Sequence, residues 1–325
     1  MANQNPPPTG TVRLHNWRDF TKVMKIMSSR EWIFRGHKSK EYRLRSGLDR
    51  YIEDIVTARE KRGHKTDKVS FASTLPRAEH FAIANFRAKA QEFSEWDSNV
   101  SALLAMQHYG AKTRLLDFTT SIFVALFFAY EERMTGMPRV IYAVNYRTLI
   151  ERGGWKRRYL EWAEDLRYRG DEEVLWEIES QIENYYFQKF MFEQAEDVIN
   201  QKKEVGRGII PLYKARFNKR QMAQSGIELM PCTFEGFTKN LAAVLGVQDE
   251  DQIDNPADAG ICHVSHLPNV DKALPTSLIK FVFDPEMEDD AWRMLDQANI
   301  NASTIYPDLD GVAKSTRYDD RILGI

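Results

Sequence analysis

The most distinctive pattern along the chain lies in residues 107–130, where a dense polar cluster is followed by an apolar run. The polar part reads QHYGAKTRLLDFTTS, and the apolar part, IFVALFFA at residues 122–129, carries no charge. So apolar a run is not typical of a surface loop, and the polar residues before it are not typical of a core helix. The pattern therefore predicts a polar site mounted on a buried element, which is how binding and catalytic side chains are held rigid.

Several other segments have the patterns of helices and strands. Apolar residues that recur at spacings of three and four after Asn16 predict a helix capped by that side chain. β-Branched and aromatic residues predict strands at residues 32–36, 139–145, 208–215 and 278–283, and a turn followed by a strand over residues 217–231. The first of these strands ends near Arg35, which is either a functional side chain or a surface arginine paired with a carboxylate.

Strands and helices are mixed without the regular βαβ alternation of a dinucleotide-binding domain. The sequence contains neither GxGxxG nor GxxxxGK(S/T), and it also lacks HExxH and GxSxG. The phosphate-loop, zinc-peptidase and serine-hydrolase classes therefore have little support. We predict the α+β fold class.

The composition divides the chain into a tail, a domain and an insertion. Residues 1–11 are polar with three consecutive prolines, which predicts a disordered or extended tail before a domain that spans residues 12–325. Between two predicted strands, a segment at about residues 146–205 is rich in charged residues and has the pattern of helices. It predicts a helical insertion. Its first part is basic and aromatic, with Lys156, Arg157 and Arg158. This part is either a docking surface for single-stranded nucleic acid or the solvated face of amphipathic helices.

Charge and cysteine usage narrow the classes of protein further. A net charge of −2 argues against a chain that coats nucleic acid over its whole surface, but it allows one local basic groove. The two cysteines make no disulfide framework, and the apolar run is far shorter than the roughly 20 residues that span a bilayer. With no secretory signal visible, we expect a cytoplasmic protein without a membrane partner. The CHVSH segment at residues 262–266 has no standard zinc spacing, so no metal is predicted.

The chain resembles the FRG domain family, which is named for the tripeptide found here at residues 34–36. Four further blocks agree in order: QHYGAKTRLLDFT with the apolar helix after it, AQSGIEL, FEGFTKNL and IYPDLDGVAKST. These matches extend from about residue 12 to the last residue, so the resemblance covers nearly the whole chain.

That family in turn resembles a divergent ADP-ribosyltransferase, which implies a mixed sheet core flanked by helices and NAD as the substrate. In the arginine–serine–glutamate class of those enzymes, an arginine ends the first strand of the site. An aromatic-Ser-Thr-Ser block precedes a helix, and a glutamate lies on a later strand. Arg35, the Phe-Thr-Thr-Ser block at residues 118–121 and Glu228 occupy the matching places. The chain departs from the pattern where Gln224 and Gly226 stand roughly in place of a Gln/Glu-x-Glu.

The resemblance implies a role for each of these residues. An arginine would hold the two phosphates of NAD with forked hydrogen bonds. A carboxylate would stabilise the positive charge that builds on the ribose as the nicotinamide bond breaks. His108 would bind a ribose hydroxyl or act as a base, and Tyr109 or Phe118 would stack on nicotinamide. The predicted catalytic residues are Glu228, His108 and Gln224, and the predicted NAD-binding residues are Arg35, Gly36, Tyr109, Phe118, Thr119 and Ser121.

For Arg114 and Asp117 we predict a buried ion pair that shapes the loop rather than a direct catalytic role. The first functional hypothesis is the transfer of ADP-ribose from NAD to a nucleic acid or a protein, by a toxin or an anti-phage effector. Two alternatives stay open at this point. One is a non-catalytic module that binds nucleic acid or a partner, and the other is a hydrolase of NAD or of a nucleotide.

Overall fold

The computed structural model describes residues 9–27, 31–64, 68–90, 98–132, 134, 136–152, 207–212, 219–255 and 276–316. The strands are β1 (Thr9–Leu14), β2 (Trp32–His37), β3 (Leu116–Thr119), β4 (Arg139–Asn145), β5 (Ile209–Leu212), β6 (Gly226–Pro231) and β7 (Leu278–Phe283). The helices are α1 (Trp17–Ile26), α2 (Gly47–Lys61), α3 (Lys68–Ala90), α4 (Asn99–His108), α5 (Ile122–Tyr130), α6 (Tyr146–Arg152), α7 (Lys219–Gln224), α8 (Phe237–Leu245), α9 (Asp251–Asp254), α10 (Glu288–Gln297), α11 (Ala302–Ile305) and α12 (Leu309–Ser315).

The described strands form one sheet of seven in the order β1-β7-β4-β2-β3-β6-β5. β1 runs parallel to β7, and every other neighbouring pair is antiparallel. Strands that are adjacent in the sheet are therefore mostly distant in sequence. With helices packed against it, this mixed sheet confirms the predicted α+β class.

Each face of the sheet has its own apolar core. One core lies under α1, α5 and α10 and includes Phe20, Phe127 and Phe283. The other includes Ile33 and Tyr142 from the sheet together with Phe237 from α8. Because side chains alternate along a strand, neighbouring residues of β2 belong to opposite cores: Phe34 to the first and Ile33 to the second.

The predicted cap at Asn16 and three of the predicted strands are confirmed. Oδ1 of Asn16 accepts a hydrogen bond of 3.1 Å from the Asp19 amide and caps α1. The strands predicted at residues 32–36, 139–145 and 278–283 are β2, β4 and β7. The predicted tail is too long, however, because β1 begins at Thr9, where pairing with β7 satisfies the backbone. The first eight residues lie outside the described part.

Two further predictions concern the middle of the chain. Where the sequence predicts a turn and a strand over residues 217–231, the structure has the helix α7, the left-handed residue Ser225 (φ 46°) and then β6. Gln224 therefore ends a helix and does not lie in the strand. In the predicted insertion, α6 follows β4 directly, and residues 153–205, with Lys156, Arg157 and Arg158, lie outside the described residues, as do residues 262–266. No described helix is long and apolar enough to cross a membrane.

Candidate functional site

Helix α5, the apolar run that follows the polar cluster, lies directly against β2 at Gly36. A Cβ atom added to Gly36 would lie 1.9 Å from the carbonyl oxygen of Ala125 and 2.8 Å from the amide nitrogen of Ala129. Both alanines are fully buried. The absence of a side chain at Gly36 therefore lets the helix backbone contact the strand, which gives the glycine of the tripeptide a packing role.

A cavity opens beside this contact, where β2 and β3 separate. Pairing between these two strands, both fully described, is limited to Phe34 and Thr119. Beyond that pair, a cavity of about 850 Å³ is lined by residues 34–38 on one side and by Asp117 and Phe118 on the other. Its volume falls within the range of small-molecule and nucleotide sites.

Arg35 spans the gap between the two strands. Its Nη1 donates a hydrogen bond to the backbone carbonyl of Asp117, and its Nε donates to Nε2 of His37 at 3.1 Å. Because Nε2 of His37 accepts this bond, the ring proton is on Nδ1, which donates to the carbonyl of Tyr42 at 3.1 Å. The neutral ring thus orients the guanidinium group in the lining of the cavity.

Positive charge is concentrated at this point. Burial first, and then the charges of Arg35, Lys280 and Arg50, together lower the pKa of His37 to about 3, although the bond to Tyr42 acts in the opposite direction. Burial also lowers the pKa of Arg35, an effect that Asp117 opposes and Arg50 reinforces. A cationic cluster of this kind, partly withdrawn from solvent, is suited to an anionic ligand such as phosphate.

We expect the neutral state of His37 to make stability fall with decreasing pH. The unfolded chain protonates this ring near pH 6.5, whereas the folded protein does not until about pH 3, so the unfolded state binds more protons between those values. The contribution is complete above pH 6.5 and is lost by up to about 1.4 kcal/mol per pH unit below it. His37→Gln should remove this dependence, because glutamine also accepts from Arg35 and donates to Tyr42.

Urea denaturation of both proteins between pH 7.5 and 5 measures the effect. His64→Gln, at an exposed position after α2, is the matched control and should keep the slope of the parent protein. Equal slopes for the parent and for His37→Gln would contradict the assigned neutral, buried ring.

Two carboxylates from neighbouring strands face the cavity. Glu228 on β6 is the register partner of Asp117 on β3, and directly opposed residues of an antiparallel pair share one face of the sheet. Glu228 is 5% exposed, and its Oε1 accepts a hydrogen bond of 2.5 Å from Nε2 of Gln221. Asp117 is exposed, and its Oδ2 accepts from Nε2 of Gln107 at 2.8 Å. The two acids thus have different surroundings.

The ion pair predicted between Arg114 and Asp117 is wrong. Nη2 of Arg114 lies 3.0 Å from Oε2 of Glu79 on α3, and Nη1 donates to the carbonyl of Pro231 at 3.0 Å. Arg114 and Glu79 are both buried, whereas Asp117 is exposed at the cavity. A buried guanidinium group needs a buried counter-charge, and Glu79 of α3 supplies it. Arg114 therefore does shape the loop, but through α3 and β6.

Three more of the predicted residues reach the cavity: Phe118, Thr119 and Gln224. The Phe118 ring is stacked on Phe237 with centroids 6.3 Å apart, so it belongs largely to the core. Oγ1 of Thr119 donates to the carbonyl of Gln224 at 2.7 Å and also accepts from the Ser121 amide at 3.0 Å. Thr119 thus joins the start of α5 to the end of α7 at the edge of the cavity.

The structure does not bring the remaining three predicted residues to the lining of this cavity. Oγ of Ser121 accepts from the Val124 amide at 3.3 Å and so caps α5. Tyr109 follows α4 and is 74% exposed, with its ring 4.9 Å from that of His108. The polar cluster therefore contributes to the cavity through Asp117 and its neighbours rather than through the HYG segment.

Other residues of the site were missed from the sequence. His37 could have been found, because it stands two residues after Arg35 and alternate residues of a strand share a face. Gln221 contacts Glu228 only because a helix and a turn fold back onto β6, and local spacing contains no signal for that. The same holds for Arg50, which the chain places near Arg35 from the separate helix α2.

Comparison with the curated proteins and with the solved structures found no match. The model of the FRG domain matches residues 30–136, a segment that contains α5 and both strands that border the cavity, β2 and β3. Glu228 and Gln221 lie beyond this segment, and the wider extent from residue 12 to residue 325 stays a prediction. The chain contains an FRG domain at residues 30–136.

Proposed function

We propose that this chain is an ADP-ribosyltransferase that transfers ADP-ribose from NAD to a nucleic acid or a protein. The observation that supports this function is the cavity at the separation of β2 and β3. It collects a guanidinium group, Arg35, and a carboxylate, Glu228, from strands on its two sides. As part of the same proposal, the fold is related to that of the ADP-ribosyltransferases.

The chemistry assigns the phosphates of NAD to the cationic side of the cavity. Arg35 is oriented by His37 before any ligand binds, so little conformational entropy is lost when its guanidinium group binds a pyrophosphate. Arg50 adds positive charge on the same side. Because the two groups already disfavour each other's charge, an anion placed between them relieves their repulsion.

The other side of the cavity is suited to the reacting ribose. Loss of nicotinamide builds positive charge on the ribose ring, and a carboxylate held near that ring stabilises the charge. Glu228 is nearly inaccessible to solvent and is held by Gln221, so its charge is weakly screened. Water in place of the acceptor would give NAD hydrolysis at the same site, and one assay of released nicotinamide detects both reactions.

We expect Arg35→Ala to weaken NAD binding by about 10- to 100-fold, which corresponds to the loss of hydrogen bonds from a charged group. Isothermal titration with NAD measures the dissociation constant. Arg13→Ala removes an exposed arginine from the edge strand β1 and should leave that constant unchanged. Failure of the parent protein to bind NAD, or to release nicotinamide from it with a cell lysate present, would contradict the proposed function.

A further inference from the structure

We propose that Asp117 is the catalytic base that takes the proton of the acceptor. This inference rests on the proposed function and goes beyond it by assigning the second carboxylate of the cavity. It also defines the acceptor chemically, as an oxygen or nitrogen nucleophile of a macromolecule that must lose a proton when it is ADP-ribosylated.

Accessibility separates the roles of the two acids. Glu228 is 5% exposed and its Oε1 is bonded to Gln221, so a group on a large acceptor has poor access to it. Asp117 lies directly across the strand pair and is exposed at the cavity. A large acceptor can therefore reach Asp117 while the NAD ribose lies beside Glu228. Two carboxylates in unlike environments are a recurrent way to divide two roles within one site.

The Asp117 carboxylate is held in place from one side. Its Oδ2 accepts from Gln107, and Oε1 of that glutamine accepts in turn from the hydroxyl of Thr113. The backbone carbonyl of Asp117 accepts from Arg35. Among the hydrogen bonds of the described residues, none reaches Oδ1. The carboxylate is thus oriented through one oxygen, which leaves the other for a proton from the acceptor.

The transfer step conserves atoms and electrons. The bond between the nicotinamide nitrogen and C1′ of the ribose breaks, and its electron pair leaves with nicotinamide. A lone pair of the acceptor atom then forms the new bond to C1′ of the ribose. The acceptor proton passes to Oδ1 of Asp117 and then to water. The products are the ADP-ribosylated acceptor, neutral nicotinamide and one proton.

The test uses the full chain, NAD labelled in its adenylate phosphate, and a whole-cell lysate divided into protease-treated and nuclease-treated portions. We expect Asp117→Asn to bind NAD with an unchanged dissociation constant but to transfer label about 10²-fold more slowly, at the low end of the range for a lost base. In Asp117→Ala, added formate should restore at least part of the transfer, because a small acid can occupy the vacated position. Asp296→Asn, the same change at an exposed position of α10, should behave as the parent protein.

The outcomes distinguish failure of this inference from failure of the proposed function. If the parent protein transfers label and Asp117→Asn transfers it equally fast, the inference is overturned and the proposed function stands. The inference is also overturned if Asp117→Asn loses NAD binding and transfer together and formate restores nothing, because the side chain is then a structural or NAD-binding group. If the parent protein neither transfers label nor releases nicotinamide, both proposals fail.

Discussion

Glu228→Gln is expected to lower NAD turnover by about 10³-fold while leaving the dissociation constant of NAD within about threefold of its value. The reason is that the ribose is nearly uncharged in bound NAD and becomes positive only as nicotinamide leaves. The negative charge of Glu228 therefore acts mainly in the transition state. Glutamine keeps the size of the side chain, and its amide can still contact Gln221. Nicotinamide release gives the turnover, and titration gives the affinity.

Glu286→Gln provides the comparison for this substitution, because it changes an exposed glutamate after β7 and should leave turnover unaltered. Unaltered turnover in Glu228→Gln would transfer the charge-stabilising role to another acid. Glu235 is the weaker replacement, because its carboxylate is bonded to Arg207 at 2.7 Å and lines a separate cavity of about 450 Å³. Asp117, which lines the same cavity as Glu228, would then be the stronger replacement.

Gly36→Ala is expected to lower the free energy of unfolding by more than about 4 kcal/mol or to prevent folding altogether. The added methyl group would lie 1.9 Å from a backbone oxygen of α5, where ordinary contact begins near 3.4 Å. No side-chain rotation can relieve a clash with backbone, so α5 would have to move away from β2. That movement would separate the core around Phe127 and expose apolar surface.

Gly226→Ala is the matched control for this glycine substitution. Gly226 is also a strand glycine beside the cavity, but a Cβ there would have its nearest contact at 3.8 Å, from the Gln221 carbonyl. We therefore expect a change of less than about 1 kcal/mol. Chemical denaturation followed by circular dichroism compares the three proteins. A Gly36→Ala protein as stable as the Gly226→Ala protein would show that α5 does not pack on β2 in this manner.

Much of the local structure can be predicted from the sequence because its causes are local. The cap at Asn16 needs only a side chain that can accept from an amide three residues later. The strands β2, β4 and β7 are predicted by alternation and by β-branched residues within each segment. The error over residues 217–231 has a local cause as well, since Lys219–Gln224 is composed of good helix formers.

The candidate site is only partly predictable for a different reason. Arg35 and Glu228 were given their roles through the family resemblance, and both line the cavity. The pairing of Arg114 with Glu79 could not be found in that way, because the contact joins α3 to the segment before β3. The resemblance also assigned His108 and Tyr109 to the ligand, although closeness to Asp117 in sequence does not place them on the same surface. A helix end and a strand that follow one another can face different parts of the molecule.

The sequence by itself determined most of the segments that form helices and strands, the cap at Asn16, the α+β class and the FRG domain. Only the tertiary structure decided which polar side chains meet, because β2, β3 and β6 are brought together from distant parts of the chain. Register sets the Asp117–Glu228 pair, and a shift of one residue would turn either side chain to the opposite face. The polar cluster before α5 therefore meets Arg35 and Glu228 through Asp117, at a cavity beside the point where β2 and β3 pair at Phe34 and then separate.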